Sequence, residues 1–267
     1  MKTLILLSFF FQVLFINLAG QDFALKQLEN SPRHHEWVEI DNNGRTVHSF
    51  LAFPEVAGKA TAVVVIHENR GLTDWVRSFS DQLAAEGYLV IAPDFLSGFS
   101  EEYQKTENFP SSDEARKGIY QLDPDQITSD LKAVTEYISL HGASNGIVVV
   151  AGFCWGGSQT FRYAINTNDI EAAMVFYGSP PESKAELSRI SCPVYGFYGE
   201  NDARINNTIP ATEEAMNDLD LVYDYVIYEG AGHAFMRRGD DPEGDEMNKK
   251  ARDQAFERMV SILNKIK

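Results

Sequence analysis

Two cysteines, Cys154 and Cys192, are the whole thiol inventory of this 267-residue chain. So small a number excludes a disulfide framework, and stability has to come from a hydrophobic core, for which one domain of this length buries enough surface. Cysteine and histidine do not cluster at metal-ligand spacing and no glycine-rich phosphate loop is present. Neither a metal nor any other cofactor is therefore indicated. No repeat with a period of roughly 20–50 residues occurs, which excludes solenoids and propellers. Positive charge is scarce: 23 Lys and Arg stand against 39 Asp and Glu, for a net charge of −16. That balance favours solubility and opposes sequence-independent binding of nucleic acid. Long apolar runs are also missing, since the longest, Leu4 to Leu18, is interrupted by Gln12 and Asn17, and is short for a membrane span.

That run has a different reading. Met1-Lys2, the apolar stretch and then Ala19-Gly20-Gln21 form the pattern of a secretory signal peptide cut after Gly20. The expectation is a leader over residues 1–20, a single domain over 21–267, and a secreted or periplasmic product with no stable membrane anchor after cleavage. A retained anchor or a buried N-terminal helix is the alternative for the same residues.

Strand-like runs fall at about 46–53, 61–67, 88–93, 146–151, 172–177, 193–198 and 222–228, separated by amphipathic segments near 74–86, 125–141, 155–166, 209–219 and 245–266. Strands alternating with helices predict an α/β fold with a mostly parallel sheet covered on both faces. Gly98 to Pro124 lacks strand periodicity and reads either as an excursion near a pocket or as an ordinary surface loop.

The densest chemical signal is Gly152-Phe153-Cys154-Trp155-Gly156-Gly157, which follows Ile147-Val148-Val149-Val150-Ala151. Glycines two residues either side of the central residue remove Cβ atoms that would collide in a sharp strand-to-helix turn, so Cys154 is thrust outward as a nucleophile. The N–H of Trp155, at the start of the helix, then faces a developing oxyanion. Taken alone, Cys154 fits a small buried side chain equally well. Its partners follow in order. Pro193 to Tyr198 runs into Gly199-Glu200-Asn201-Asp202, placing Asp202 as the orienting acid, and Val222 to Tyr228 runs into Glu229-Gly230-Ala231-Gly232-His233, placing His233 as the base. Nucleophile, acid and base, each beyond a strand, follow the α/β-hydrolase order with cysteine in the serine position. After the strand Ala62 to Ile66 comes His67-Glu68-Asn69-Arg70-Gly71, where this fold supplies its second oxyanion N–H, here that of Asn69. Of the histidines other than His233, His67 is the one to follow.

These motifs, with Ala92-Pro93-Asp94 and Gly232-His233-Ala234-Phe235, resemble those of the dienelactone hydrolase (carboxymethylenebutenolidase) family over about residues 45 to 260. The resemblance implies Cys154 as nucleophile, His233 as base and Asp202 as its orienting carboxylate. It implies that Glu68 contacts the resting thiol until substrate displaces it. It also implies that Arg237, with Arg238 beside it, binds a substrate carboxylate. From the residues alone, Glu68 also fits a loop carboxylate paired with Arg70, and the two arginines fit a solvated pair facing Asp240-Asp241. The chain departs from the family where Pro93-Asp94 continues as Phe95-Leu96, without a second arginine. The activity implied is hydrolysis of a small ester or enol lactone by way of a thioester, with Arg237 as the group that would receive an anionic substrate. A cysteine acyltransferase or other hydrolase on the same fold, and a non-catalytic secreted binding protein, are the competing classes. No disulfide between Cys154 and Cys192 is expected, because Cys192 precedes its strand at the end remote from the active edge.

Overall fold

A computed structural model describes residues 22–181 and 183–267. The signal-peptide expectation for residues 1–20 lies outside them. Among the described residues, ten α-helices and eight strands follow one another as α1 (Asp22–Glu29), β1 (His35–Asn42), β2 (Arg45–Ala52), β3 (Ala60–Ile66), α2 (Asp74–Ala85), β4 (Leu89–Pro93), α3 (Ser112–Ile119), α4 (Pro124–Leu140), β5 (Ser144–Phe153), α5 (Trp155–Asn166), β6 (Ala172–Phe176), α6 (Lys184–Leu187), β7 (Val194–Gly199), α7 (Ala203–Asn206), α8 (Ile209–Asn217), β8 (Tyr223–Tyr228), α9 (Phe235–Asp240) and α10 (Glu246–Ile266).

The strands form one sheet in the order β1-β2-β4-β3-β5-β6-β7-β8. β1, β2 and β4 pair antiparallel, and every pair from β4 through β8 is parallel. The inner strands are apolar throughout because both of their faces are covered. Successive side chains alternate between two cores: Val63 and Val65 pack with α2 and α10, whereas Ala62, Val64 and Ile66 pack with α4 and α5. Every strand anticipated from the sequence is present within a few residues. β1 was not anticipated, because its sequence HEWVEIDN carries exposed acids and sits at the sheet edge, where polar residues blunt the open hydrogen-bonding row.

The parallel pairing brings the C-terminal ends of β3, β5, β7 and β8 to one edge, so loops far apart in sequence share that edge. The Gly98–Pro124 excursion holds α3, capped by Ser111, whose side chain accepts from the N–H of Glu114, and it packs Ala115 and Ile119 on Leu96 and against Trp155. It therefore borders the elbow. Asp94 fastens it: the carboxylate accepts from the backbone N–H of Thr106 at 2.7 Å and from its hydroxyl at 2.7 Å. The same Thr106 oxygen accepts from the N–H of Leu72 at 2.9 Å.

Candidate active site

β5 ends at Phe153 and α5 begins at Trp155, leaving one residue to make the turn. Cys154 makes it at φ 57° and ψ −114°, a left-handed region that a side chain enters at a cost. The surroundings hold it there. Its N–H donates to the carbonyl of Phe176 at 3.0 Å, and its carbonyl accepts from the N–H of Ser158 at 3.2 Å. A Cβ on Gly156 would lie 2.4 Å from the carbonyl oxygens of both Ile66 and His67, so only glycine lets α5 start pressed against the end of β3. Cys154 is half-buried.

His233 lies on the loop between β8 and α9, 30% exposed. Its Nδ1 meets Oδ2 of Asp202 at 2.5 Å and its Nε2 meets Sγ of Cys154 at 3.1 Å. Asp202 is buried just beyond β7. Burial opposes a charge on His233, but its hydrogen bonds to Asp202 and Cys154 outweigh that and push its pKa up to about 9. The three residues that the sequence places in order thus meet in one hydrogen-bonded line.

Glu68 and Arg237 correct the expectation. Glu68 does not hold the thiol or pair with Arg70; its Oε2 accepts from Nε of Arg237 at 2.7 Å, and Sγ of Cys154 has His233 as its partner instead. Buried opposite charges find each other because neither can be left alone at low dielectric. Arg237 is thus engaged through Nε. Burial works against its charge, and Glu68 more than restores it, raising its pKa. Arg238 is exposed on α9, with its guanidinium beside Gly232. Asp240 does not face this pair either: it accepts from Nε1 of Trp75 at 2.8 Å and pairs with Arg252 at 2.5 Å.

Trp155 heads α5, where first-turn N–H groups have no intrahelical acceptor. Asn69 lies on the loop after β3, its Nδ2 donating to the hydroxyl of Tyr120 at 3.1 Å. Tyr177 was not anticipated. It follows β6 with φ 40°, is fully buried, and sets its ring edge-on to His233 at 5.1 Å. Burial and the charge of Glu68 push its phenol pKa well above the ordinary value. The Tyr177 hydroxyl and Glu68 Oε1 are both buried without a hydrogen-bond partner among the described residues. Position beyond an inner strand was the one sequence signal for Tyr177, since each such strand end opens on the same edge. Cys154 and Cys192 are both free, with Cys192 buried.

The dienelactone hydrolase family model matches residues 47–267. A protein of Saccharolobus solfataricus, provisionally named a carboxymethylenebutenolidase, is 29% identical over 260 residues, covering 86% of this chain and 98% of that one. A Bradyrhizobium protein, provisionally named a 2-oxo-3-(5-oxofuran-2-ylidene)propanoate lactonase, is 26% identical over 212 residues, covering 75% of this chain and 83% of its own. The crystal structure of a provisionally named dienelactone hydrolase from Klebsiella pneumoniae superposes with a TM-score of 0.76 at 24% identity, covering 87% of this chain and 98% of that one. The chain belongs to the dienelactone hydrolase family, a single-domain α/β-hydrolase-type fold whose members act on ester or lactone bonds.

Proposed function

We propose that this chain hydrolyses a small ester or enol lactone through Cys154, His233 and Asp202, with a thioester acyl-enzyme between the two steps. The observation that carries this reading is the line Asp202–His233–Cys154, with contacts of 2.5 and 3.1 Å. Asp202 holds the Nδ1 proton of His233 and leaves Nε2 facing sulfur. An imidazole protonated up to about pH 9 stabilises negative charge on that sulfur. Sγ attacks the carbonyl carbon, and the N–H groups of Trp155 and Asn69 receive the oxyanion. Collapse expels the alcohol or enol, which takes its proton from His233 Nε2. His233 then draws a proton from water, the hydroxide adds to the thioester, and the carboxylic acid leaves as the Cys154 sulfur departs. Thiolate leaves a tetrahedral adduct more readily than an amide nitrogen does, so amides are poor substrates.

Glu68 engages Nε of Arg237, and the guanidinium has four further N–H donors to which a substrate carboxylate can bond, beside Glu68 or in its place. Turnover of p-nitrophenyl acetate and of a carboxylate-bearing enol lactone by the full chain tests the scheme. Cys154→Ala is expected to lower both by roughly 10³-fold or more, and an acetyl adduct on Cys154 is expected by mass spectrometry. Full activity in Cys154→Ala ends the proposal. A loss in Arg237→Ala confined to the lactone marks Arg237 as the carboxylate site. Diversion of the acyl group to added alcohol in preference to water makes the chain an acyltransferase. Export remains part of the proposal on the pattern of Met1 to Gly20; N-terminal sequencing of the mature protein would expose it as wrong if Met1 is retained.

A further inference from the structure

We infer that His67 is the positioning residue that aims both oxyanion donors, a role that rests on the reading just proposed. Its ring is fully buried between the loop after β3 and the elbow. Nδ1 lies 2.8 Å from the carbonyl oxygen of Glu68, and Nε2 lies 3.3 Å from the backbone nitrogen of Phe95. An N–H can only donate, so Nε2 has to be the bare acceptor and Nδ1 carries the ring proton. One neutral tautomer satisfies both contacts. Burial supports it by lowering the pKa of this histidine.

The carbonyl that His67 holds belongs to the same peptide unit as the N–H of Asn69. In a trans peptide the C=O and N–H point in opposite directions in one plane, and no peptide bond among the described residues is cis. Pinning the Glu68 oxygen on the protein side therefore turns the Asn69 N–H away from it. The other face of the arrangement is Trp155. The His67 ring stacks on its indole, centroids 5.4 Å apart and planes 15° apart, and Phe95 closes edge-on against both rings at 5.3 and 5.8 Å. Directly below, the carbonyls of Ile66 and His67 occupy the space beside Gly156. A single side chain thus fixes the peptide plane of one donor and the residue that carries the other. An ordinary core histidine would need only its own two hydrogen bonds satisfied.

Two reactions of Cys154 separate this role from a structural one. Acylation by p-nitrophenyl acetate passes through an oxyanion, whereas alkylation by iodoacetamide displaces iodide at a saturated carbon and forms none. His67→Phe keeps the stacked ring and loses both hydrogen bonds; His67→Asn restores an amide donor near the Nδ1 position. In His67→Phe, acylation is expected to fall roughly 10²-fold with alkylation within about threefold of wild type, and His67→Asn is expected to recover about tenfold of the acylation. Acylation within about threefold of wild type in both variants overturns the inference. So does a parallel loss of acylation and alkylation. If neither variant folds, ring-nitrogen NMR of the wild-type protein decides: a bare Nε2 and protonated Nδ1 on His67 support the arrangement, and a protonated Nε2 overturns it. Failure of the proposed function looks different, because wild type itself would then show no Cys154-dependent acylation while the NMR reading of His67 still stands.

Discussion

At the scale of single residues, the site depends on groups whose protonation is set by their immediate partners. The folded pKa of His233, about 9, stands above its ordinary value of 6.5. A raised histidine contributes its stabilisation in full below 6.5 and loses it as the pH climbs through about 9. The difference in urea midpoint between wild type and Asp202→Asn should therefore be widest near pH 6 and narrow by pH 9.5; a constant gap would mean that Asp202 does not sustain the shift. Cys154 is set by backbone as much as by side chain. Its φ of 57° costs any L side chain of order 1–3 kcal/mol. That strain is carried by the contacts of its N–H and carbonyl with Phe176 and Ser158.

At the scale of elements, the unit β5, Cys154 and α5 was legible in the sequence because each of its requirements is local. An apolar run makes the inner strand, glycines clear the turn, and the helix starts at once. Gly156 shows how tight the fit is. Gly156→Ala must move either α5 or the end of β3, since its Cβ would sit 2.4 Å from two carbonyl oxygens, and a loss of about 1–3 kcal/mol in urea unfolding is expected, together with slower acylation. Unchanged stability and rate would show that the two elements are not locked. α3 was not legible, because its eight residues, SDEARKGI, present only Ala115, Gly118 and Ile119 as buried positions. Its docking depends on Asp94, Thr106 and Leu72 meeting across the excursion, and no periodicity within the segment announces that.

At the scale of the whole molecule, the chain before β1 is tied to the sheet layer by Asp81 on α2. The Asp81 side chain is fully buried, and it accepts from Ser31 at 2.6 Å, from Arg33 at 2.7 and 2.6 Å, and meets His35 at 2.7 Å. Burial works against its charge, but these partners outweigh it and hold its pKa below the usual 3.8. The stabilisation is thus complete above 3.8 and disappears as the pH falls through the lower folded value. Asp81→Ala, which strands Arg33, is expected to cost about 3 kcal/mol at neutral pH and to open the segment before β1 to limited proteolysis. Wild-type resistance to protease in this variant would sink the anchoring role.

The sequence by itself determined the alternation of strands and helices, the acidic single domain, and the order in which Cys154, Asp202 and His233 emerge, because hydrophobic period and turn chemistry act between near neighbours. Parallel pairing then carries those three loops to one edge almost automatically. Only the tertiary structure decided which charges meet there. Glu68 and Arg237 lie 169 residues apart, and their pairing in place of a contact with the thiol or with Arg70 is a matter of burial, which compels opposite charges to share the least solvated space available. The same holds for Tyr177 beneath His233 and for His67 against Trp155. Their roles come from packing across elements, for which spacing along the chain carries no signal.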